Sequence, residues 1–178
     1  MNPFRIDATD FAWIGGAADD PADYCLHGHV TVEMGDISLE FDGTVSAAAL
    51  NLLKTLTQDK IMNRWDIQMV PCCGHFLIAS ADLQEVEISG CDSGLDWSVI
   101  HEGGRVRFIL PSGHEEAESL GAYREEVFRF ADKIEAHYLA CRPKERPRDD
   151  FDRNGYIAFW NEWYRRRGKA GPLPLFQP

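Results

Sequence analysis

Positive charge is scarce in this chain. Its 18 lysines and arginines stand against 29 aspartates and glutamates, a formal net charge of -11. A phosphate-binding surface needs a basic footprint, so nucleic acid is excluded as the default partner. Long apolar runs are missing too: no stretch approaches the ~18 apolar residues of a membrane span, and no membrane partner is expected. The opening Met1-Asn2-Pro3-Phe4-Arg5-Ile6-Asp7 has no apolar stretch of the kind a secretory signal carries. Cysteines are few: Cys25, Cys72, Cys73, Cys91 and Cys141 are odd in number and irregular in spacing. That argues against a secreted disulfide scaffold and for a reducing cytoplasm. No GxGxxG, P-loop, nucleophile elbow or CxxC pair occurs, and His114-Glu115-Glu116 lacks the second histidine of an HExxH helix.

What is present suffices for a folded domain. Across 178 residues, 44% are hydrophobic, with 10 Phe, 5 Trp and 5 Tyr, which excludes intrinsic disorder. Charge is unevenly spread: residues 142–178 hold nine of the basic residues and only five of the acidic ones. An acidic body with a basic tail can attract a basic partner or bind its own tail; a plain soluble surface is the other reading.

Periodicity predicts an α+β fold with a mainly antiparallel sheet of about five or six strands. Residues 4–23 read as irregular. From Leu26 to Met34, Leu26, Val30, Val32 and Met34 alternate with His27, His29, Thr31 and Glu33. Gly35-Asp36 turns the chain into a return strand with Ile37, Leu39 and Phe41 on one face and Ser38 and Glu40 on the other. An amphipathic helix is predicted over Ala47–Thr57, with Thr44 or Ser46 as N-cap. Two short strands flank a turn at Pro71-Cys72-Cys73-Gly74, a further strand holds Val86 and Ile88, and a second hairpin turns at Glu102-Gly103-Gly104. The clearest helix spans Ser119 to Cys141 on a stripe of Leu120, Tyr123, Val127, Phe130, Ile134 and Tyr138, with Glu125–Arg129 as an exposed pair. These elements make an α+β domain over residues 1–141. Residues 142–178 add a proline-containing connector, a helix from about Arg153 to Arg167 with Asp152 as its cap, and an extended tail, all packed on the same domain.

Four groups of residues could carry chemistry. His27 and His29 share the polar face of one strand, and with Cys72, Cys73 and His75 they offer a mixed nitrogen and sulfur set that zinc accepts. The alternative is surface histidines and small thiols filling the core. A thiol nucleophile at Cys72, Cys73 or Cys91 would need His75, His101 or His114 beside it, and no spacing provides that. Asp92, Asp96 and Glu102 are close in sequence, but with so many carboxylates proximity alone singles out no acid–base pair. Lastly, Tyr156, Phe159, Trp160, Trp163 and Tyr164 crowd one helix. They either wedge between the body and Leu173-Pro174-Leu175-Phe176 or offer Trp160 and Trp163 as anchors for a partner or a second copy.

Three stretches, Gly90-Cys91-Asp92-Ser93-Gly94-Leu95-Asp96-Trp97-Ser98-Val99-Ile100-His101-Glu102, Glu125-Glu126-Val127-Phe128-Arg129-Phe130-Ala131-Asp132-Lys133-Ile134-Glu135 and Phe151-Asp152-Arg153-Asn154-Gly155-Tyr156-Ile157-Ala158-Phe159-Trp160-Asn161-Glu162-Trp163, resemble a family of small, uncharacterised bacterial α+β proteins. In size, acidity and lack of catalytic motif the chain is also similar to immunity proteins that neutralise bacterial toxin domains. That likeness implies a cytoplasmic protein-binding module with a basic polypeptide partner and no catalytic residue. The expected contacts are Glu33, Glu40, Glu85 and Glu87 on exposed strand faces, with Trp160 and Trp163. The competing expectation is a metal-dependent enzyme centred on His27, His29, Cys72, Cys73 and His75. The oligomeric state stays open.

Overall fold

Strands β2 (His27–Met34) and β3 (Ile37–Thr44) form the expected hairpin, with Met34 opposite Ile37 across the two-residue turn. Gly35 adopts a φ of 60° there, a conformation that costs glycine nothing. The structure is a computed structural model that describes residues 4–169 and Phe176. It is α+β, with three helices and ten antiparallel strands among the described residues.

The strands do not form one sheet. Strand β1 (Arg5–Ala12) adds to the first hairpin in the order β1-β2-β3. Strands β4 (Val70–Pro71) and β7 (Gly94–Leu95) pair with each other, as do β5 (Gly74–Ala79) and β6 (Val86–Gly90). Strands β8 (Ser98–Glu102), β9 (Arg105–Ile109) and β10 (Glu115–Ser119) form a second three-stranded sheet, with β9 in the middle.

Two strands depart from the sequence reading. The stretch 4–23 was expected to be irregular, yet β1 occupies its first half. Ile6 and Ala8 face the core, and a register shift between Thr9 and Ala12, with Asp10 at φ 52°, breaks the alternation that would have revealed it. Strand β10 is Glu-Glu-Ala-Glu-Ser, a poor strand former by composition. Arginines on β9 hold it, Arg107 binding Glu115 at 3.0 Å and Arg105 donating to the Ala117 carbonyl at 3.1 Å.

Helix α1 (Val45–Lys54) follows Thr44, which takes the N-cap position without a side-chain cap hydrogen bond, and is buried on almost every side. Helix α2 (Leu120–Ala140) is capped by the Ser119 hydroxyl, which accepts from the Ala122 amide at 3.1 Å. Its stripe of Tyr123, Val127, Phe130 and Ile134 packs into the core. Arg129 pairs with Glu126 at 2.7 Å rather than with Glu125. Glu126 is buried and also accepts from the Ile6 amide at 2.9 Å, which ties α2 to β1. Burial pushes its carboxyl up, but hydrogen bonds from Arg129 and Ile6 and the Arg129 charge outweigh it and hold it below the usual range.

Helix α3 (Asp150–Arg166) starts three residues earlier than expected. Asp149 caps it, accepting from the Asp152 amide at 2.9 Å. Asp150 and Asp152 then lie in the first turn, where carboxylates complement the helix dipole. The helix closes over the core beside β5. A Cβ at Gly155 would meet the Leu77 carbonyl oxygen at 2.0 Å, so only glycine allows this approach. Tyr156, Phe159, Trp160, Trp163 and Tyr164 belong to the same apolar cluster as Trp13, Trp97 and Phe108. Of the tail, Leu173, Pro174 and Leu175 lie outside the described residues; Phe176 meets Tyr156 ring to ring at 5.6 Å.

Candidate functional site

Strand alternation puts Val30, Val32 and Met34 inward, and so turns His29, Thr31 and Glu33 outward on β2 and Glu40 and Asp42 outward on β3. This outer face is acidic. Glu33 is exposed, and the side chains of Glu40 and Asp42 are 66% and 87% exposed. His29 Nδ1 lies 2.7 Å from Asp42, and its Nε2 lies 3.9 Å from Glu40. The hydrogen bond with Asp42 raises the His29 pKa above its ordinary value.

His27 shares this face, but its Nε2 contacts Thr44 Oγ1 at 3.5 Å and its ring lines a small hollow with Cys25, Leu77 and Asp152. Each histidine therefore has separate neighbours. Among the described residues, the only grouping of three or more metal-ligating side chains is Cys72, Cys73 and Cys91. Of the expected set, Cys72 belongs to this grouping and His27 and His29 do not; the side chain of His75 lies outside the described residues.

Cys73 meets Cys72 at 3.3 Å and Cys91 at 3.1 Å, sulfur to sulfur, and the sulfurs of Cys72 and Cys91 lie at disulfide distance. The adjacent Cys72 and Cys73 thus converge on a third cysteine, 18 residues after Cys73. Two of the histidines considered as bases are engaged with carboxylates: His101 with Asp59 at 2.8 Å and His114 with Glu116 at 3.1 Å. Asp96 accepts from Lys60 and from the Met69 amide, bracing the loop before β4.

A cleft of about 490 Å³ opens between the end of α1, β6 and α3. Glu85 and Glu87 stand on its rim, and Glu85 pairs with Arg165 at 3.1 Å. Buried Glu162 sits at its base, accepting from the Val86 amide at 2.8 Å and Arg166 at 2.7 Å, with Lys54 3.5 Å away. Desolvation lowers the Lys54 pKa, although Glu162 opposes this. Lys54 donates to the Val86 carbonyl. These charges satisfy one another and pin α3 to β6 and α1. Only the Glu162–Arg166 spacing of four was visible in the sequence; the fold brings Lys54 to it across more than a hundred residues.

Trp160 and Trp163 are 4% and 0% exposed. They face the interior and do not form a surface patch, because Tyr138, Phe159 and Tyr164 enclose them. The acidic candidates also divide, with Glu33 and Glu40 on the first sheet and Glu85 and Glu87 at the cleft. No helix is long and apolar enough to cross a membrane among the described residues. No known protein family, curated protein or solved structure matches the chain.

Proposed function

We propose that this chain is a protein-binding module whose outer β2–β3 face engages a basic partner, and that it serves as a cytoplasmic immunity protein neutralising a bacterial toxin domain. The observation that carries this reading is the row of exposed carboxylates, Glu33, Glu40 and Asp42, on strands whose other face is locked into the core. Carboxylates on a rigid sheet lose little conformational freedom on binding, and their field speeds the capture of a basic domain. With Trp160 and Trp163 internal, the contact is electrostatic at its rim and rests on the strand face rather than on α3.

The test is genetic and biochemical together. Loss of the gene is expected to expose the cell to a toxin. The wild-type protein should restore growth, and a folded Glu33→Lys/Glu40→Lys double variant should not. Loss without harm to the cell, or full rescue by the double variant, would refute the reading.

A further inference from the structure

Beyond the binding face, we propose that Cys72, Cys73 and Cys91 form a three-thiolate site for a soft divalent cation of the zinc class. The site sits where two strands are interrupted together. Strands β4 and β5 are separated by Cys72 and Cys73, and β6 and β7 by Cys91, Asp92 and Ser93. Pairing holds on either side of the gap, Pro71 with Gly94 and Gly74 with Gly90. The Cys72 amide donates to the Ser93 carbonyl at 2.9 Å, closing one end of it. Three sulfurs fill what remains, all within 4.8 Å of one another.

Burial does not explain this convergence. Cys91 is exposed, while Cys72 and Cys73 are only half-buried, so no apolar drive gathers the thiols. A disulfide between Cys72 and Cys91 would use two sulfurs. It leaves unexplained why Cys73 turns toward both, and the two Cα atoms stand 7.1 Å apart, beyond the usual span of that bond. A cation uses all three. Zinc takes thiolates at about 2.3 Å, which places tetrahedrally disposed sulfurs roughly 3.8 Å apart; Cys73 already stands 3.3 Å from Cys72 and 3.1 Å from Cys91, while Cys72 and Cys91 must separate from disulfide distance to admit the ion.

With Cys72 and Cys91 at disulfide distance, a thiol reductant first supplies the two electrons and two protons that leave them as thiols. Binding to the reduced chain then exchanges three S–H protons for three metal–sulfur bonds with no further change of oxidation state, so up to three protons are released as the cation enters. The exposed Cys91 side leaves the fourth position open to water. The metal clips the two interrupted strands together.

The full chain, purified anaerobically under reducing conditions without chelator, is the sample. Native mass spectrometry should show one zinc per chain, and cobalt substitution should give thiolate-to-metal charge-transfer absorption. Cys73→Ser should lower zinc affinity at least tenfold, as should Cys91→Ser, while Cys141→Ser should leave it unchanged. Circular dichroism establishes that each variant is folded. Failure of the reduced wild-type chain to take up added zinc would overturn the site. So would Cys73→Ser binding zinc like wild type, or a Cys72–Cys91 disulfide that persists in place of metal binding. None of these outcomes bears on the acidic face, so the two proposals fail separately.

Discussion

On the outer face of β2 and β3, Glu33, Glu40 and Asp42 stand in water. On the α3 side, Glu162 and Glu135 are buried and enclosed by donors. Glu162 is held by Arg166, Lys54 and the Val86 amide. Glu135 accepts from Trp163 at 3.4 Å, Tyr164 at 3.0 Å and Arg167 at 3.2 Å, which joins α2 to α3. One residue type therefore does two jobs. In water it leaves its charge available to a partner; in the interior it fixes the position of a helix, since a buried charge must be matched locally. Among the basic residues of the C-terminal segment, Arg166 and Arg167 serve the second job.

The contrast can be broken most severely at Glu162. Glu162→Ala strands Lys54 and Arg166 without their buried counter-charge and should cost about 3–5 kcal/mol in urea unfolding. Removing the α2 cap with Ser119→Ala should cost about 1 kcal/mol by the same assay. Glu33→Lys/Glu40→Lys should change stability by no more than roughly 0.5 kcal/mol while abolishing partner binding; a large loss of stability would mean the face is structural. The smallest effect is at His29. Asp42→Asn should lower its pKa, followed by imidazole NMR. Because His29 titrates higher folded than unfolded, its contribution is present below its unfolded pKa and is lost as pH rises through the folded one. An unmoved pKa would show that Asp42 does not hold the charge. Glu126 works in the opposite sense: its lowered pKa gives stability that is lost as pH falls through the acid range.

The sequence reading was strongest where one periodicity ran unbroken. The β2–β3 hairpin and the α2 stripe were both legible, because each buries one face against the same core. It failed at β1, where the shift after Thr9 spoils the alternation, and at β10, where glutamates pair with arginines instead of burying apolar groups. Separate sheets were not visible, since local alternation says nothing about which strands are neighbours. The aromatics of α3 favoured burial over an exposed patch without deciding it, and burial needed the Gly155–Leu77 approach that brings α3 onto β5. At the candidate sites, the outward direction of Glu33 and Glu40 followed from alternation. The joining of Cys91 to Cys72 and Cys73 did not, because two strand interruptions meet only in the folded chain.

The most direct measurement is native mass spectrometry of the protein captured from its own cells, with the Glu33→Lys/Glu40→Lys variant captured alongside. A basic polypeptide bound at fixed stoichiometry to the wild type and absent from the folded variant is the predicted result. A wild-type chain that never carries a polypeptide, or a partner retained equally by the variant, would contradict the assignment of the β2–β3 face as the binding surface.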